Sequence, residues 1–305
     1  MKILLATDGS DCARAAMDFL VGFPFPGDSS ITLLTVIDDR TLRHFYTESN
    51  DDEQHRTLQE AGKMLREDTE KLLAVELQHL KAGGREGSSE IRSGNPADEI
   101  IELAKELQAD LIMVGSHGHG GLGDVLLGHV PDRLLQHAPC SVLVARAASD
   151  QSVVSPAAEE TGMPWHVLLA YDSSAPAQQA LDLCAALPFD SKAEISVVSV
   201  MPMLTAFRQD IRQRMNALWQ QKRHGVQDAL DQAVSRLSES TSNVQAQLRE
   251  GTDIAREILD AAEETGTNLI MLGCKGEGVI RRFLVGSITN RIVRHASCSV
   301  WAVRS

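Results

Sequence analysis

The chain is written twice. "KILLATDGS" at residues 2–10 returns as "HVLLAYDSS" at 166–174, which sets Asp8 against Asp172 at an offset of 164. "ITLLTVID" at 31–38 answers "ISVVSVMP" at 195–202 and pairs Val36 with Val200 at the same offset. "ADLIMVGSHG" at 109–118 answers "TNLIMLGCKG" at 267–276, pairing Gly115 with Gly273 at an offset of 158. "QHAPCSVLVAR" at 136–146 and "RHASCSVWAVR" at 294–304 keep that second offset. The offset drops because the connecting middles differ in length. A period of this size means a duplicated domain rather than a solenoid repeat. The length of 305 residues agrees, at roughly 150 residues per domain.

Each half alternates strand and helix. Residues 2–7 form a short, nearly all-apolar run, as expected of a strand buried on both faces. A helical pattern follows over 10–23, with Ser10 or Asp11 as its cap. Residues 31–37 read as a second strand and roughly 51–81 as a long, charged, amphipathic helix. "SSEIRSG" is a short third strand, and "NPADEIIELAKEL" opens a helix with a capping residue and proline at the first helical position. "ADLIMVG" is a fourth strand, "GHVPDRLLQHA" a helix that tolerates Pro131 only near its start, and "SVLVAR" the last strand. The second half repeats the order, with a long middle helix over roughly 207–238. We therefore expect a first domain at 1–147, a linker at 148–163 that is polar, small and proline-containing, and a second domain at 164–305.

Alternating strand–helix units imply a parallel sheet with helices on both faces. Ligands of such sheets bind beyond the carboxyl ends of the strands, where strand order reverses. Asp8 and Asp172 close each first strand; Gly115 and Gly273 close each fourth. If strands one and four are central neighbours, each aspartate faces its own glycine loop.

The loop in the second half runs Gly273-x2-Gly276-x9-Gly286-Ser287. Glycines let a backbone approach a ligand closely, and the helix that follows offers free N–H groups and a positive dipole end. Phosphate is the natural guest. Ser287 can donate its hydroxyl to a phosphate oxygen, and Lys275, Arg281 and Arg282 add positive charge. The plainer alternative makes Ser287 an ordinary N-cap and the glycines an ordinary turn. This is not a P-loop, because no Gly-Lys-Ser/Thr run follows. Nor does it follow the first strand, as a dinucleotide fingerprint would.

With the paired halves, this spacing resembles the universal stress protein family, and the whole chain looks like a tandem, UspA-type member. The pattern G-x2-G-x9-G-[ST] is the nucleotide signature of the family's ATP-binding branch. The resemblance implies two flavodoxin-like (adenine nucleotide alpha hydrolase-like) doubly wound α/β domains, each with a five-stranded parallel sheet. It also implies ATP as ligand, with Mg2+ as a companion that Asp172 could assist. Adenine and ribose would lie near Asp172 and Val200, with Leu272 lining the base pocket. The triphosphate would lie on Gly273, Gly276, Gly286 and Ser287, with Ile288 just beyond. Val200 and Leu272 are also ordinary core residues.

The first half keeps Asp8, Val36, Gly115, Gly118 and Gly128 but has His129 where the signature has Ser287. An imidazole is bulkier and is expected to intrude on the phosphate position, although a protonated one could bind phosphate. Gly123 and Asp124 align with Arg281 and Arg282, so an acid replaces a base. We expect a degenerate site here and ATP mainly in the second domain. His117, His119 and His129 lack the cysteine or carboxylate company of a structural zinc site, so no metal held by protein alone is expected.

The formal charge of −13 argues against a general nucleic-acid binder and against attraction to an anionic membrane. Five cysteines without a CxxC pair read as reduced thiols. The opening "MKILLATDGS" reads as a first strand rather than a signal peptide, and no apolar run approaches a membrane span. The expectation is a cytoplasmic, ATP-binding stress-response regulator, its halves paired as an intrachain pseudo-dimer and open to homodimerisation. A slow ATPase or phosphotransferase and a nucleotide-free scaffold are the alternatives. No motif supplies a convincing base beside the phosphates, so no catalytic residue is assigned.

Overall fold

A computed structural model describes residues 1–38, 52–118, 127–146, 164–189, 191–203, 209–274 and 285–304. The chain divides into two compact units. The first unit contains strands β1 (Lys2–Ala6), β2 (Ser30–Ile37), β3 (Gly87–Ser93), β4 (Leu111–Gly115) and β5 (Ser141–Ala145). Its helices are α1 (Asp11–Gly22), α2 (Asp52–Ala82), α3 (Pro96–Leu107) and α4 (His129–His137). The second unit contains β6 (His166–Ala170), β7 (Glu194–Pro202), β8 (Val244–Gly251), β9 (Leu269–Gly273) and β10 (Ser299–Val303). Its helices are α5 (Ala175–Ala186), α6 (Gln209–Leu237), α7 (Ile254–Glu264) and α8 (Ser287–His295).

All strand pairs within each unit are parallel. In the first unit β1 pairs with both β2 and β4, β3 lies outside β2, and β5 lies beside β4. In the second unit β6 pairs with both β7 and β9, β8 lies outside β7, and β10 lies beside β9. The order is thus 3-2-1-4-5 twice over, the doubly wound, flavodoxin-like arrangement. Its switch point falls between strands one and four.

Burial explains the strand composition. Every residue of β4, β5 and β10 is buried, which suits their unbroken apolar runs. The outer β3 is exposed or half-exposed along its whole length and carries polar residues on both faces. Helix starts follow local capping chemistry. Ser10 accepts the Ala13 N–H at 3.2 Å to open α1, and Ser174 accepts the Ala177 N–H at 3.3 Å to open α5. Asn95 Oδ1 accepts the Ala97 N–H at 3.1 Å, and Pro96 takes the position where a missing N–H costs nothing.

Two turns after the first strands share an unusual backbone. Gly9 has φ +75°, and Ser173, at the matched position, has φ +64°. Each follows an aspartate whose Oδ1 accepts an N–H two residues on, from Ser10 and from Ser174, both at 3.0 Å. This Asx turn fixes where each aspartate sits at the carboxyl edge of its sheet.

Candidate functional site

In the second unit, the carboxyl ends of β6, β7 and β9 and the first turns of α7 and α8 enclose a cavity of about 190 Å³. Asp172, Val200, Leu272, Gly273, Gly286, Ser287 and Ile288 all line it. Gly276 lies outside the described residues, as do Lys275, Arg281 and Arg282. Asp172 is exposed at the mouth, while Tyr171 beside it is buried and donates its hydroxyl to Gln178 Oε1 at 3.0 Å.

The start of α8 shows which residue caps the helix. Gly286 is the N-cap, with extended backbone and no capping side chain, and Ser287 is the first helical residue. Ser287 is therefore not the cap. Helix geometry leaves the N–H groups of Ser287, Ile288 and Thr289 without intrahelical acceptors. All three residues line the cavity. The glycine loop is closed at its ends by the Gly286 N–H, which donates to the Cys274 carbonyl at 2.9 Å. Thr289 Oγ1 donates to the Gly273 carbonyl at 3.1 Å and ties the helix to β9.

α7 provides a wall that the sequence pattern did not single out. Ile254 and Ile258, one turn apart, face the cavity. Asp253 caps α7 by accepting the Arg256 N–H at 3.3 Å and accepts hydrogen bonds from the two terminal guanidinium nitrogens of Arg291, at 2.8 and 2.6 Å. The Arg291 hydrogen bonds and the Arg256 N–H hold the Asp253 carboxyl below the usual carboxylate range. This pair joins α7 to α8 across the outside of the cavity. An apolar i, i+4 pair at the start of a helix after the third strand was the available signal, and it recurs loosely as Pro96 and Ile100.

The first unit holds the equivalent cavity, about 200 Å³. Asp8, Val36, Gly115, Gly118, Gly128 and His129 all line it, with His117, Pro96, Ile100 and Pro131. His129 borders this space at the first position of α4, the place that Ser287 takes on α8. The Gly128 N–H donates to the Ser116 carbonyl at 2.8 Å, the counterpart of the Gly286 closure. A Cβ on Gly118 would stand 2.6 Å from Asp8 Oδ2, so glycine is what brings the loop onto this aspartate. His119, Gly123 and Asp124 lie outside the described residues. Among the described residues no group of three or more His, Cys, Asp or Glu is placed to hold a metal ion.

Fold and cavities define a doubly wound α/β chain with a switch-point cavity in each of two tandem domains. The model of the universal stress protein family matches residues 1–146 and again 163–304, and the chain belongs to that family. A universal stress protein of Methanocaldococcus jannaschii, MJ0531, is 30% identical over 145 residues, covering 48% of this chain and 81% of that one. A Staphylococcus aureus relative of the same family name is 33% identical over 146 residues, covering 48% and 83%. The crystal structure of a universal stress protein from Archaeoglobus fulgidus aligns over 99% of this chain and 98% of its own, with TM-score 0.66 and 21% identity. That last likeness concerns the fold.

Proposed function

We propose that this protein is an ATP-binding, nucleotide-dependent stress-response regulator that holds ATP mainly in its second domain. The observation that carries the proposal is the start of α8. There a serine hydroxyl and three N–H groups without intrahelical acceptors meet one cavity with Asp172 on its rim. The residues present fit the ligand. Asp172, Val200 and Leu272 would hold adenine and ribose; Gly273, Gly286, Ser287 and Ile288, together with Gly276, would hold the phosphates. Magnesium would be carried on the phosphates, with Asp172 the nearest carboxylate available to it.

Binding ranks ahead of hydrolysis. Among the described lining residues Asp172 is the only carboxylate and there is no histidine or lysine, so the reading assigns binding and names no catalytic residue. Two tandem domains of one family in one chain fit an intrachain pseudo-dimer, and homodimerisation belongs to the same proposal. So do a cytoplasmic setting and the lack of a nucleic-acid partner, for which the charge of −13 is the support. Among the described residues no helix is long and apolar enough to cross a membrane.

Calorimetric titration with ATP tests the reading. The double replacement Gly286→Val with Ser287→Leu should abolish binding in a chain that keeps its circular dichroism and melting transition. Unchanged affinity in that folded variant would overturn the site.

A further inference from the structure

The two cavities are nearly equal in size, yet the helix that opens onto each is built differently. α8 begins Ser287-Ile288-Thr289-Asn290, with no acid in its first turn. α4 begins His129-Val130-Pro131-Asp132, with Asp132 in its first turn. Both helices have a glycine N-cap without a side chain to satisfy the terminal N–H groups.

These substitutions act on one property. Pro131 has no N–H, so α4 offers one donor fewer than α8 to a guest at its start. His129 removes the hydroxyl of Ser287. Asp132 places a carboxylate where it complements the helix dipole, the role an incoming anion would otherwise take. Its Oδ2 accepts the Gln136 Nε2–H at 3.0 Å, which holds the carboxylate on the first turns of the helix. The rest of the cavity is retained: Leu34, Val36, Ile100 and Val114 supply apolar walls, and Asp8 stays on the rim.

A cavity that keeps its volume, apolar walls and rim aspartate while its anion-binding end is weakened by one N–H and one hydroxyl suits an uncharged ligand of nucleoside size better than a polyphosphate. We propose that the first cavity is a purine-nucleoside site that discriminates against the nucleoside's polyphosphate, while the second takes the triphosphate. This rests on the nucleotide reading above and deepens it. One chain then compares a phosphorylated and an unphosphorylated form of the same base in its two domains.

Equilibrium dialysis of labelled adenosine and labelled ATP against the full chain tests this, with Val36→Trp to fill the first cavity and Val200→Trp to fill the second. Val36→Trp reads the nucleotide assignment alone and should retain ATP; if it binds none, that assignment fails and this inference falls with it. Val200→Trp should retain adenosine and bind ATP at least about ten-fold more weakly than adenosine, from the lost donors and added charge. Equal affinity for the two ligands, or no adenosine binding, in a folded Val200→Trp chain would overturn the inference with the second site intact. A gain-of-function variant tests it without relying on that replacement. His129→Ser, Pro131→Thr and Asp132→Asn together, in the otherwise natural chain, should raise bound ATP from about one to about two per chain. An unchanged ATP stoichiometry in the folded triple variant would equally overturn it.

Discussion

Pro176 stands so close to Gly273 that a Cβ on the glycine would lie 2.6 Å from the Pro176 carbonyl carbon. In the first unit, a Cβ on Gly115 would lie 2.6 Å from the Cys12 carbonyl carbon. Both obstacles are backbone at the start of α5 or α1, which cannot swing away as a side chain can. These two glycines are therefore required by packing of helix on strand, whatever the cavity holds. Gly273→Ala or Gly115→Ala should each lower unfolding free energy by about 1–3 kcal/mol, the ordinary effect of overpacking. Urea denaturation measures it. Stability within about 0.5 kcal/mol of the parent would refute the contact.

Ser173 has φ +64°, where its counterpart is Gly9. The left-handed region costs a residue with a Cβ roughly 1 kcal/mol more than glycine. Ser173→Gly should stabilise the second unit by about 0.5–1 kcal/mol. Gly9→Ser should destabilise the first, since a Cβ there would also stand 3.0 Å from Leu72 Cδ1. Opposite shifts in melting temperature are expected from the two variants. A fall in both would show that the Ser173 side chain matters more than its strain.

Glu76 on α2 is buried, and burial pushes its carboxyl pKa up; nearby His79 opposes that shift, Asp18 adds to it, and Arg14 opposes it. Asp18 on α1 is raised for the same first reason, with His79 Nε2 at 3.5 Å from its Oδ1. A carboxyl raised in the folded state binds its proton more tightly there than in the unfolded chain. Its ionisation therefore weakens the fold as pH rises from the usual carboxylate range through the raised value. Glu76→Gln should melt higher than the parent at pH 7, and the gap should close as pH falls below the usual carboxylate range. A gap independent of pH would place the effect in packing rather than in charge.

Arg249 on β8 donates from Nε to Glu257 at 3.3 Å and by both terminal nitrogens to Glu264 at 2.8 and 2.9 Å. It ties β8 to α7, the helix whose Ile254 and Ile258 wall the second cavity. Its counterpart Arg92 ties β3 to α3 through Glu99 and Glu106 and also pairs with Glu90 on its own strand. The guanidinium holds the Glu264 carboxyl below its usual range, with the hydrogen bonds the larger cause. A carboxyl lowered in this way stabilises the fold at neutral pH, and that share is lost as pH falls through the lowered value. Arg249→Met should melt lower than the parent at neutral pH. The difference should shrink in molar salt, which screens the half-exposed carboxylates. A salt-independent difference would assign the loss to the arginine stem instead.

The sequence by itself determined the duplication, the order of strands and helices, the capped starts of α1 and α3, and family membership through the glycine spacing. These are local or repeated patterns: a buried run, a cap before an amphipathic stretch, a motif written twice. Tertiary structure decided what periodicity does not encode. It brought Asp172 and Gly273, a hundred residues apart, to one rim because β6 and β9 are neighbours at the switch point. It turned α7 to supply the Ile254 and Ile258 wall. It set Gly286 rather than Ser287 as the cap, which leaves the serine hydroxyl on the cavity. It also placed His129 on the lining of a first cavity of about 200 Å³, beside Asp8 and Gly128 from distant segments. The physical reason is common to all four. Contact between distant segments depends on how the sheet twists and how closely its helices pack, and no stretch of sequence carries both sides of such a contact.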